Sequence, residues 1–445
     1  MQQQKKLILT FFPNSKVRKE YEEMFPYKKM KSDFQFVTLT RNLMNKSSNN
    51  ELNLNLNSIT RGIHALMHKC EMLRRRYATT AYLSRARGYY PSKFDSGHIE
   101  FGPYPKAKHL KRLLVTLLSN QIGVLLLRKL IMIFFHFENR RWCNKPKNLH
   151  CILLPYTGGI SVEWDFLVWF GRKSGTTTIA IQENWDNLSS KQFLFEKPDI
   201  FTTWGKQSSS HLRTIQNFRG IVKEVGCIRV QSFYERRGAL NTDANVSINQ
   251  VHFHSKPILV VGVGDDLADL KLLKDLSNHV EKSQESRTRS LSFIYRPHPY
   301  PHFPLRNQEV LEKISELPHV DIDRPSPTES NSQRIQKIDG FNIVVSHFST
   351  MVLESAILNK TCILPTFVFK IPGYDSQNLI DDYYHFSGVS LLSNIKVADT
   401  LESFIDIVLD NNKKVELNTH DDKILNWFCK RAHTQDELCD VINSI

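Results

Sequence analysis

The sequence lacks several features that would place it outside the ordinary globular proteins. Its seven cysteines are scattered and odd in number, and no Cys-x-x-Cys pair occurs, so neither a zinc ribbon nor a disulfide framework is predicted. Its 18 glycines and 18 prolines follow no period, which excludes a collagen-like or low-complexity chain. The apolar run near the N-terminus is too short for a signal peptide, so a cytoplasmic location is expected.

What the sequence does have is length and positive charge. At roughly 100–200 residues per domain, its 445 residues predict two or three domains. Hydrophobic residues make up 41% of the chain and charged residues 23%, so wholesale disorder is excluded. The net charge of +14 favours an anionic partner: nucleic acid, a phosphorylated metabolite or an anionic membrane surface. No zinc spacing or basic–aromatic repeat supports nucleic acid, which is therefore not expected.

The most apolar segment, Leu113 to Phe135, is long enough to cross a bilayer. Arg128 and Lys129 lie inside it, however, and two central cations are costly in hydrocarbon. A buried helix or pair of helices with polar interruptions is the favoured interpretation. A basic helix lying on an anionic membrane surface and a true membrane span remain open.

Short apolar strands alternate with helical segments on both sides of an aperiodic stretch. This rhythm predicts parallel sheets covered by helices on both faces. We therefore predict an α/β fold of two Rossmann-like, doubly wound lobes facing a cleft. The predicted divisions are an N-terminal acceptor-binding lobe at residues 1–230, a linker at residues 231–256 and a C-terminal nucleotide-donor-binding lobe at residues 257–445. Residues 45–57, rich in asparagine and serine, are expected to form an exposed loop.

Polar clusters follow several predicted strands of the C-terminal half, where ligands of such sheets bind. Gly262 and Gly264 follow the first strand and would let a phosphate approach the backbone. The third glycine of the dinucleotide fingerprint is absent, which argues against a nicotinamide cofactor. Arg296 and His298 follow the next strand in a stiff Arg-Pro-His-Pro run, and both can donate hydrogen bonds to phosphate oxygens.

The third cluster lies where a predicted strand meets a predicted helix. Its hydroxyl, imidazole and backbone N–H groups can cap the helix or bind a phosphate. Glu354, about one helical turn further on, could accept hydrogen bonds from two ribose hydroxyls. An ordinary helix cap with a surface glutamate explains the pattern equally well. The candidate phosphate ligands of this cluster are Ser346, His347, Ser349 and Thr350.

A dense polar loop follows a β-branched strand in the first half of the chain. Its amides could hold sugar hydroxyls and its tryptophan could form an apolar platform, although capping of the next segment by Asp186 and Asn187 is an equal alternative. No metal-ligand set is apparent. The candidate acceptor ligands are Gln182, Asn184, Trp185 and Asn187. The catalytic candidates are His298 and four carboxylates of which any one could be the general base: Glu163, Asp165, Glu183 and Asp186.

Together these motifs resemble the two-lobed glycosyltransferases of the GT-B fold, especially bacterial families that build surface polysaccharides such as capsule and lipopolysaccharide. The stretch from Ser346 to Ile363 looks like their donor-site pattern, with Thr361 in place of the usual proline. The Arg-Pro-His-Pro loop is similar to the His-Pro loop of capsule Kdo transferases and of CDP-glycerol glycerophosphotransferases.

The resemblance implies that His298, Ser349 and Thr350 contact the phosphates of a nucleotide-activated sugar and that Glu354 contacts its ribose. It implies a metal-independent enzyme without a cofactor. Its acceptor would be a glycan or a lipid-linked glycan, and its location peripheral on the inner face of the cell membrane. Three alternatives stay open: a CDP-polyol phosphotransferase, a sugar-nucleotide 2-epimerase of the same fold, and a non-catalytic protein that binds an anionic ligand.

Overall fold

The chain forms two compact units, each built on a parallel sheet. The first unit comprises residues 1–86, 106–231 and 426–445, and the second comprises residues 87–105 and 232–425. The computed structural model describes residues 5–12, 30, 33–40, 51–54, 56–74, 89–95, 98–103, 109–142, 146–157, 161–191, 193–243, 257–262, 266–298, 304–326, 329–347, 349–368, 380, 385–410 and 419–445.

The first unit contains a sheet of seven parallel strands in the order β3-β2-β1-β6-β7-β8-β9. Its strands are β1 (Lys6–Phe12), β2 (Phe34–Thr40), β3 (Glu51–Asn53), β6 (Leu149–Tyr156), β7 (Thr177–Gln182), β8 (Ile200–Thr203) and β9 (Ile221–Glu224). Its helices are α1 (Ser58–Arg74), α2 (His109–Leu118), α3 (Gln121–Arg141), α4 (Val162–Ser174), α5 (Lys206–Thr214) and α14 (Thr434–Asn443), with a short π-helix at Asn187–Lys191.

Both faces of this sheet are covered by other elements. Successive residues of a strand point to opposite faces, so neighbouring residues of one strand pack in different clusters. Leu9 and Phe11 of β1 belong to the apolar cluster that also contains buried residues of α1, α3 and α4. Ile8 and Phe12 of the same strand belong to a second cluster, which includes Leu438 of α14. The two-sided burial explains why the strands have continuous apolar sequences rather than alternating ones.

The second unit contains six parallel strands in the order β12-β11-β10-β13-β14-β15. A separate antiparallel hairpin joins β4 (Tyr89–Asp95) to β5 (His98–Pro103). The sheet strands are β10 (Ile258–Val261), β11 (Phe293–Arg296), β12 (Val320–Ile322), β13 (Ile343–Ser346), β14 (Thr361–Pro365) and β15 (Ile395–Ala398). The helices are α7 (Asp266–Lys282), α8 (Ser286–Arg289), α9 (Pro304–Ser315), α10 (Asn331–Asp339), α11 (Met351–Ile357) and α12 (Leu401–Asp410).

In each unit the chain builds outward from a central strand in one direction and then in the other. The second unit shows this most simply, because β11 and β12 lie on one side of β10 whereas β13, β14 and β15 lie on the other. This order is that of a doubly wound Rossmann-like sheet, and its reversal creates a ligand-binding point between β10 and β13. The predicted fold class of two Rossmann-like, doubly wound lobes is confirmed.

Two segment boundaries differ from the sequence-based expectation. Helix α6 (Ile228–Asp243) covers the start of the expected linker and buries Phe233, while residues 244–256 lie outside the described residues. The end of the chain joins the first unit, because Leu438 and Ile442 of α14 pack in the same cluster as Cys151 of β6. Helix α13 (Thr419–Phe428) contains the point at which the chain passes from the second unit, which ends at Leu425, back to the first.

The expected asparagine-rich loop is partly regular structure. Strand β3 lies within it and pairs with β2, and Leu54 and Leu56 beyond the strand are buried. Residues 45–50 and 55 lie outside the described residues. The pairing of β3 with β2 and the burial of Leu54 and Leu56 therefore hold the described part of this polar segment in place.

The most apolar segment forms the two helices α2 and α3, which confirms the pair of helices in the favoured interpretation. The expected burial is wrong, because many of the apolar side chains, such as Leu126 and Ile133, are exposed. Asn120 caps α3 by accepting a hydrogen bond from the Gly123 N–H at 2.8 Å, and a Cβ at Gly123 would lie 2.5 Å from the Leu118 carbonyl oxygen. Only glycine therefore permits this tight helix–helix corner. Within the described part of the chain, no helix is both long enough and apolar enough for a membrane span.

Candidate functional site

The carboxyl ends of three neighbouring strands bring the predicted donor-site segments together in the second unit. Val261 of β10 pairs with Arg296 of β11 on one side and with Ser346 of β13 on the other. Gly262, the loop that contains His298 and the turn that contains Ser349 therefore leave the sheet at one edge. The strand order reverses at this edge, which is where open α/β sheets bind ligands.

A buried polar cluster lies beneath this edge. The Tyr295 hydroxyl donates to Oδ2 of Asp269 at 2.9 Å, and Nε2 of His347 lies 3.6 Å from Oδ1 of the same carboxylate. All three side chains are at most 2% exposed. Our sequence analysis missed Asp269 and Tyr295. Two signals were available in the sequence. Asp269 lies near the start of the helix that follows β10 and Gly262, and Tyr295 directly precedes the Arg-Pro-His-Pro run.

Gly262 is required by its contact with this cluster. A Cβ at position 262 would lie 2.7 Å from Oδ2 of Asp269 and 2.8 Å from the hydroxyl of Tyr295, and its backbone N–H donates to the Arg296 carbonyl at 2.9 Å. The glycine thus lets the strand end approach the buried carboxylate. Gly264, the other predicted glycine, lies outside the described residues.

Hydroxyl groups line the turn between β13 and α11. Ser346 Oγ lies 2.8 Å from Ser349 Oγ, and Ser349 Oγ accepts a hydrogen bond from the Met351 N–H at 3.2 Å. Thr350 occupies the N-cap position, where its side chain makes no capping hydrogen bond with a described residue. Ser349, Thr350 and His298 are half-buried, so all three retain accessible surface, whereas Ser346 is fully buried.

Arg296 does not present its charge as the sequence suggested. Its guanidinium forms ion pairs with Asp323 and Glu329, and the side chain is nearly buried. Lys337 also contacts both carboxylates, at 2.8 and 3.4 Å. The two carboxylates already balance the charge of Arg296. We therefore expect this side chain to hold the loops together rather than to donate to a phosphate.

Glu354 is buried rather than a surface glutamate. Its side chain is 0% exposed, and Oε1 lies 2.5 Å from Nη2 of Arg334. The Arg334 guanidinium in turn lies over the ring of Phe233, 5.5 Å from the centroid. A ribose could reach this carboxylate only if the ion pair opened, so we predict a structural role for Glu354.

The buried imidazole of His347 makes the stability of the protein sensitive to acid. Burial lowers the pKa of His347 from 6.5 to about 3. Between these values the unfolded chain binds a proton that the folded chain does not, so stability falls as the pH drops from 6.5 toward 3. We expect His347→Gln to reduce this fall, measured by urea unfolding at several pH values. An unchanged pH dependence would contradict the assignment.

The polar loop after β7 is held by its own buried amide side chains. Gln182 is buried, donates to the carbonyls of Asn184 and Trp185 at 2.9 and 3.2 Å, and accepts from the Trp204 N–H. Asn187, also fully buried, donates to the Tyr156 carbonyl. Because these amides hold the backbone of the loop, we expect them to position the loop rather than to bind a sugar.

Trp185 is likewise not the exposed platform that its position suggested. Its side chain is 1% exposed, Nε1 donates to Oε1 of Gln207 at 2.8 Å, and the ring packs edge-on against Phe428. Asn184 is half-buried and accepts from Arg229 at 2.9 Å. The loop residues among the candidates that retain accessible surface are Asn184, Glu183 and Asp186.

The other two candidate bases lie in the first turn of α4, and both are buried. Glu163 is 0% exposed and faces Nη1 of Arg61 at 2.7 Å. Oδ2 of Asp165 lies 2.5 Å from Nε2 of His64 and 3.5 Å from Nε2 of His68, both on α1. Its Oδ1 accepts a hydrogen bond from the Glu196 N–H at 3.0 Å. Burial would raise the pKa of Asp165, but the two rings lower it to about 2. Burial also lowers the pKa of His68.

Our sequence analysis missed the two histidines beside Asp165. The available signal was their spacing of four residues on a predicted helix, which places both rings on one face. A small pocket, with room for about one water molecule, borders His68 and Asp165. Its other lining residues are Tyr156, Ser161, Trp164, Phe193 and Leu194.

Comparison with known proteins identifies the fold. No protein-family model matches the sequence, and no curated protein matches it significantly. A protein assigned as a UDP-N-acetylglucosamine 2-epimerase from Listeria monocytogenes is 10% identical, with a TM-score of 0.51 over 99% of this chain and 96% of that chain. This likeness and the two sheets define the class: the chain has the GT-B fold of two Rossmann-like, doubly wound units.

Two further solved structures are similar to this chain at 10% identity. The UDP-GlcNAc 2-epimerase from Methanocaldococcus jannaschii has a TM-score of 0.49, with 99% of this chain and 100% of that chain covered. A variant of the wall teichoic acid polymerase TagF has a TM-score of 0.47, with coverages of 99% and 88%.

Proposed function

We propose that this protein is a glycosyltransferase that moves a sugar from a nucleotide-activated donor to a surface glycan or a lipid-linked acceptor. One observation carries the proposal: the half-buried His298, Ser349 and Thr350 leave the sheet of the second unit at the edge where its strand order reverses. Open α/β sheets bind nucleotides at this point. Gly262, at the same edge, leaves the strand end without a side chain.

The chemistry assigned to this edge is phosphate binding. The hydroxyls of Ser349 and Thr350 would donate to phosphate oxygens of the donor. His298 would donate to the phosphate that departs, where negative charge develops during transfer. The cluster of Asp269, Tyr295 and His347 would keep the floor of the site rigid, because its members are buried and in contact with one another.

The general base of the proposed transfer is one of the two half-buried carboxylates after β7. Glu163 and Asp165 are both fully engaged in buried contacts with Arg61, His64 and His68. Glu183 and Asp186 retain accessible surface, which a base needs if it is to reach an acceptor hydroxyl. We therefore assign the role to this pair.

Acceptor-dependent release of nucleotide tests this function. The full chain is incubated with UDP-, GDP- and CMP-activated sugars, with and without membrane extracts that contain lipid-linked glycans. A transferase releases UDP, GDP or CMP only when an acceptor is present. Release of CMP from CDP-glycerol would instead identify a polyol phosphotransferase, conversion of UDP-GlcNAc without acceptor a 2-epimerase, and binding without turnover a non-catalytic protein.

The partner proposed for the first unit is an anionic membrane surface that carries the acceptor. Helix α3 buries one face, which includes Leu127, Ile131 and Phe135, and α2 packs the partly buried Val115 and Leu118 against the same core. The opposite face of both helices is exposed. Lys129 and Arg140 are also exposed on α3, among the exposed apolar side chains of the two helices. An exposed apolar face with interspersed cations is typical of helices that lie in the interface of anionic lipids. The exposed apolar side chains are Leu113, Leu114, Leu117, Ile122, Leu125, Leu126, Leu130, Ile133 and Phe137.

Acidic substitutions on this face are expected to abolish membrane binding. Replacing both Leu126 and Ile133 by glutamate removes two apolar side chains, each worth about 1.5–3 kcal/mol when buried, so affinity for anionic vesicles should fall by at least about 100-fold. Cosedimentation with phosphatidylglycerol vesicles measures it. The control is Leu391→Glu, which changes an exposed leucine of the second unit. Equal binding of the double variant and the control would contradict the proposal.

A further inference from the structure

Three side chains of the first unit with metal-binding chemistry meet in one buried place. His64 and His68 lie on successive turns of α1, and Asp165 lies in the first turn of α4. One ligand atom from each lies within 4.8 Å of the others, and all three residues are buried. The spacing of four residues places both imidazoles on one helix face.

The charge of Asp165 distinguishes it from its buried neighbours. Glu163 faces Arg61, and Glu196 faces Arg172 at 2.6 Å. Within the described ranges, Asp165 contacts no lysine or arginine; its side-chain neighbours are the two imidazoles. The two imidazoles therefore stabilise this buried carboxylate without a lysine or arginine, and a bound cation would stabilise its charge further.

The geometry leaves His68 underused. Its Nε2 lies 3.5 Å from Oδ2 of Asp165, which is long for a hydrogen bond, and no other described residue hydrogen-bonds either of its ring nitrogens. Two ligand atoms bound to one tetrahedral zinc ion at about 2.0–2.1 Å are separated by roughly 3.3 Å. His64 Nε2, now 2.5 Å from the same oxygen, would move outward by roughly 1 Å.

We infer that His64, His68 and Asp165 bind a divalent transition-metal ion, for which zinc is the best match. Two imidazoles and one carboxylate are a zinc ligand set that leaves a fourth position open. The small pocket that borders His68 and Asp165 would supply that position with water or a bound hydroxyl. The Glu196 N–H, which donates to Oδ1 of Asp165, orients the carboxylate from behind. The inference replaces the expectation of no metal and is independent of the proposed donor site.

Metal titration of the full chain tests the site. Protein stripped with EDTA is dialysed against Zn²⁺, the bound metal is measured by mass spectrometry, and Co²⁺ is added in parallel to record its visible spectrum. We expect one ion per chain. His68→Gln should lower the affinity by more than about 100-fold, because loss of even an outer-shell partner costs 10–100-fold. His136→Gln, an exposed histidine of α3, should bind like the unaltered protein.

Two results would overturn the inference. One is an unaltered chain that binds no more Zn²⁺ than a protein without histidine clusters. The other is a folded His68→Gln variant, shown by circular dichroism, that retains full affinity. Where His68→Gln fails to fold, the Co²⁺ spectrum of the unaltered chain decides, because a site of nitrogen and oxygen ligands with low symmetry gives intense visible bands and hydrated cobalt does not.

Discussion

Replacing Glu354 by alanine is expected to destabilise the protein by about 3 kcal/mol. The change removes one partner of a buried ion pair and leaves Arg334 beside Phe233 without its carboxylate. Breaking such pairs costs about 3–5 kcal/mol, and the lower value applies because the arginine is partly exposed. In thermal unfolding this corresponds to a fall in Tm of roughly 6–12 °C.

A surface glutamate provides the matched control for this prediction. Glu309 of α9 is exposed, so Glu309→Ala should leave Tm nearly unchanged. Replacing both Arg334 and Glu354 by leucine should recover much of the lost stability, because no charge is then buried alone. If Glu354→Ala keeps the original Tm and instead loses nucleotide affinity, the carboxylate is a ribose ligand and our structural assignment is wrong.

Replacing His298 by alanine is expected to weaken nucleotide binding by about 10- to 100-fold. A hydrogen bond to a charged group contributes about 1.5–3 kcal/mol, and His298 is the half-buried imidazole at the edge where the phosphate is proposed to bind. Isothermal titration calorimetry with UDP, GDP, CDP and CMP measures the effect. Stability without ligand should change little, because the side chain is only partly buried.

The control for this variant is His279→Ala on α7 of the same unit. His279 is also half-buried but lies in the last turn of its helix, outside the proposed site. It should bind nucleotides like the unaltered chain. Equal affinities for the two variants would mean that His298 does not contact the phosphate, and the role assigned to it during transfer would fall with it.

Much of the fold could be predicted because buried parallel strands leave a simple record in the sequence. The run at residues 6–12 and those that form β6 and β10 are mostly apolar on both faces, as strands of a two-sided parallel sheet are. The return of α14 to the first unit could not be predicted. Its apolar residues show that one face is buried, but nothing in the sequence specifies against which sheet.

The candidate site was less predictable because residue type does not specify burial. Trp185 has the composition of a sugar platform, yet the same ring fills the core beside Phe428. Arg296 was read as a phosphate ligand, but its partners Asp323 and Glu329 are distant in sequence and meet it only after the strands pair. The histidine spacing on α1 was visible, whereas its third member, Asp165, follows about a hundred residues later.

Hydrogen exchange of the full chain with and without saturating nucleotide tests the central claim most directly. The account predicts that bound nucleotide slows exchange around Gly262, around His298 and from Ser346 to Thr350, while the strands of the first unit exchange as before. Protection confined to the first unit, or no protection by any of UDP, GDP, CDP and CMP at concentrations far above those of cells, would contradict it.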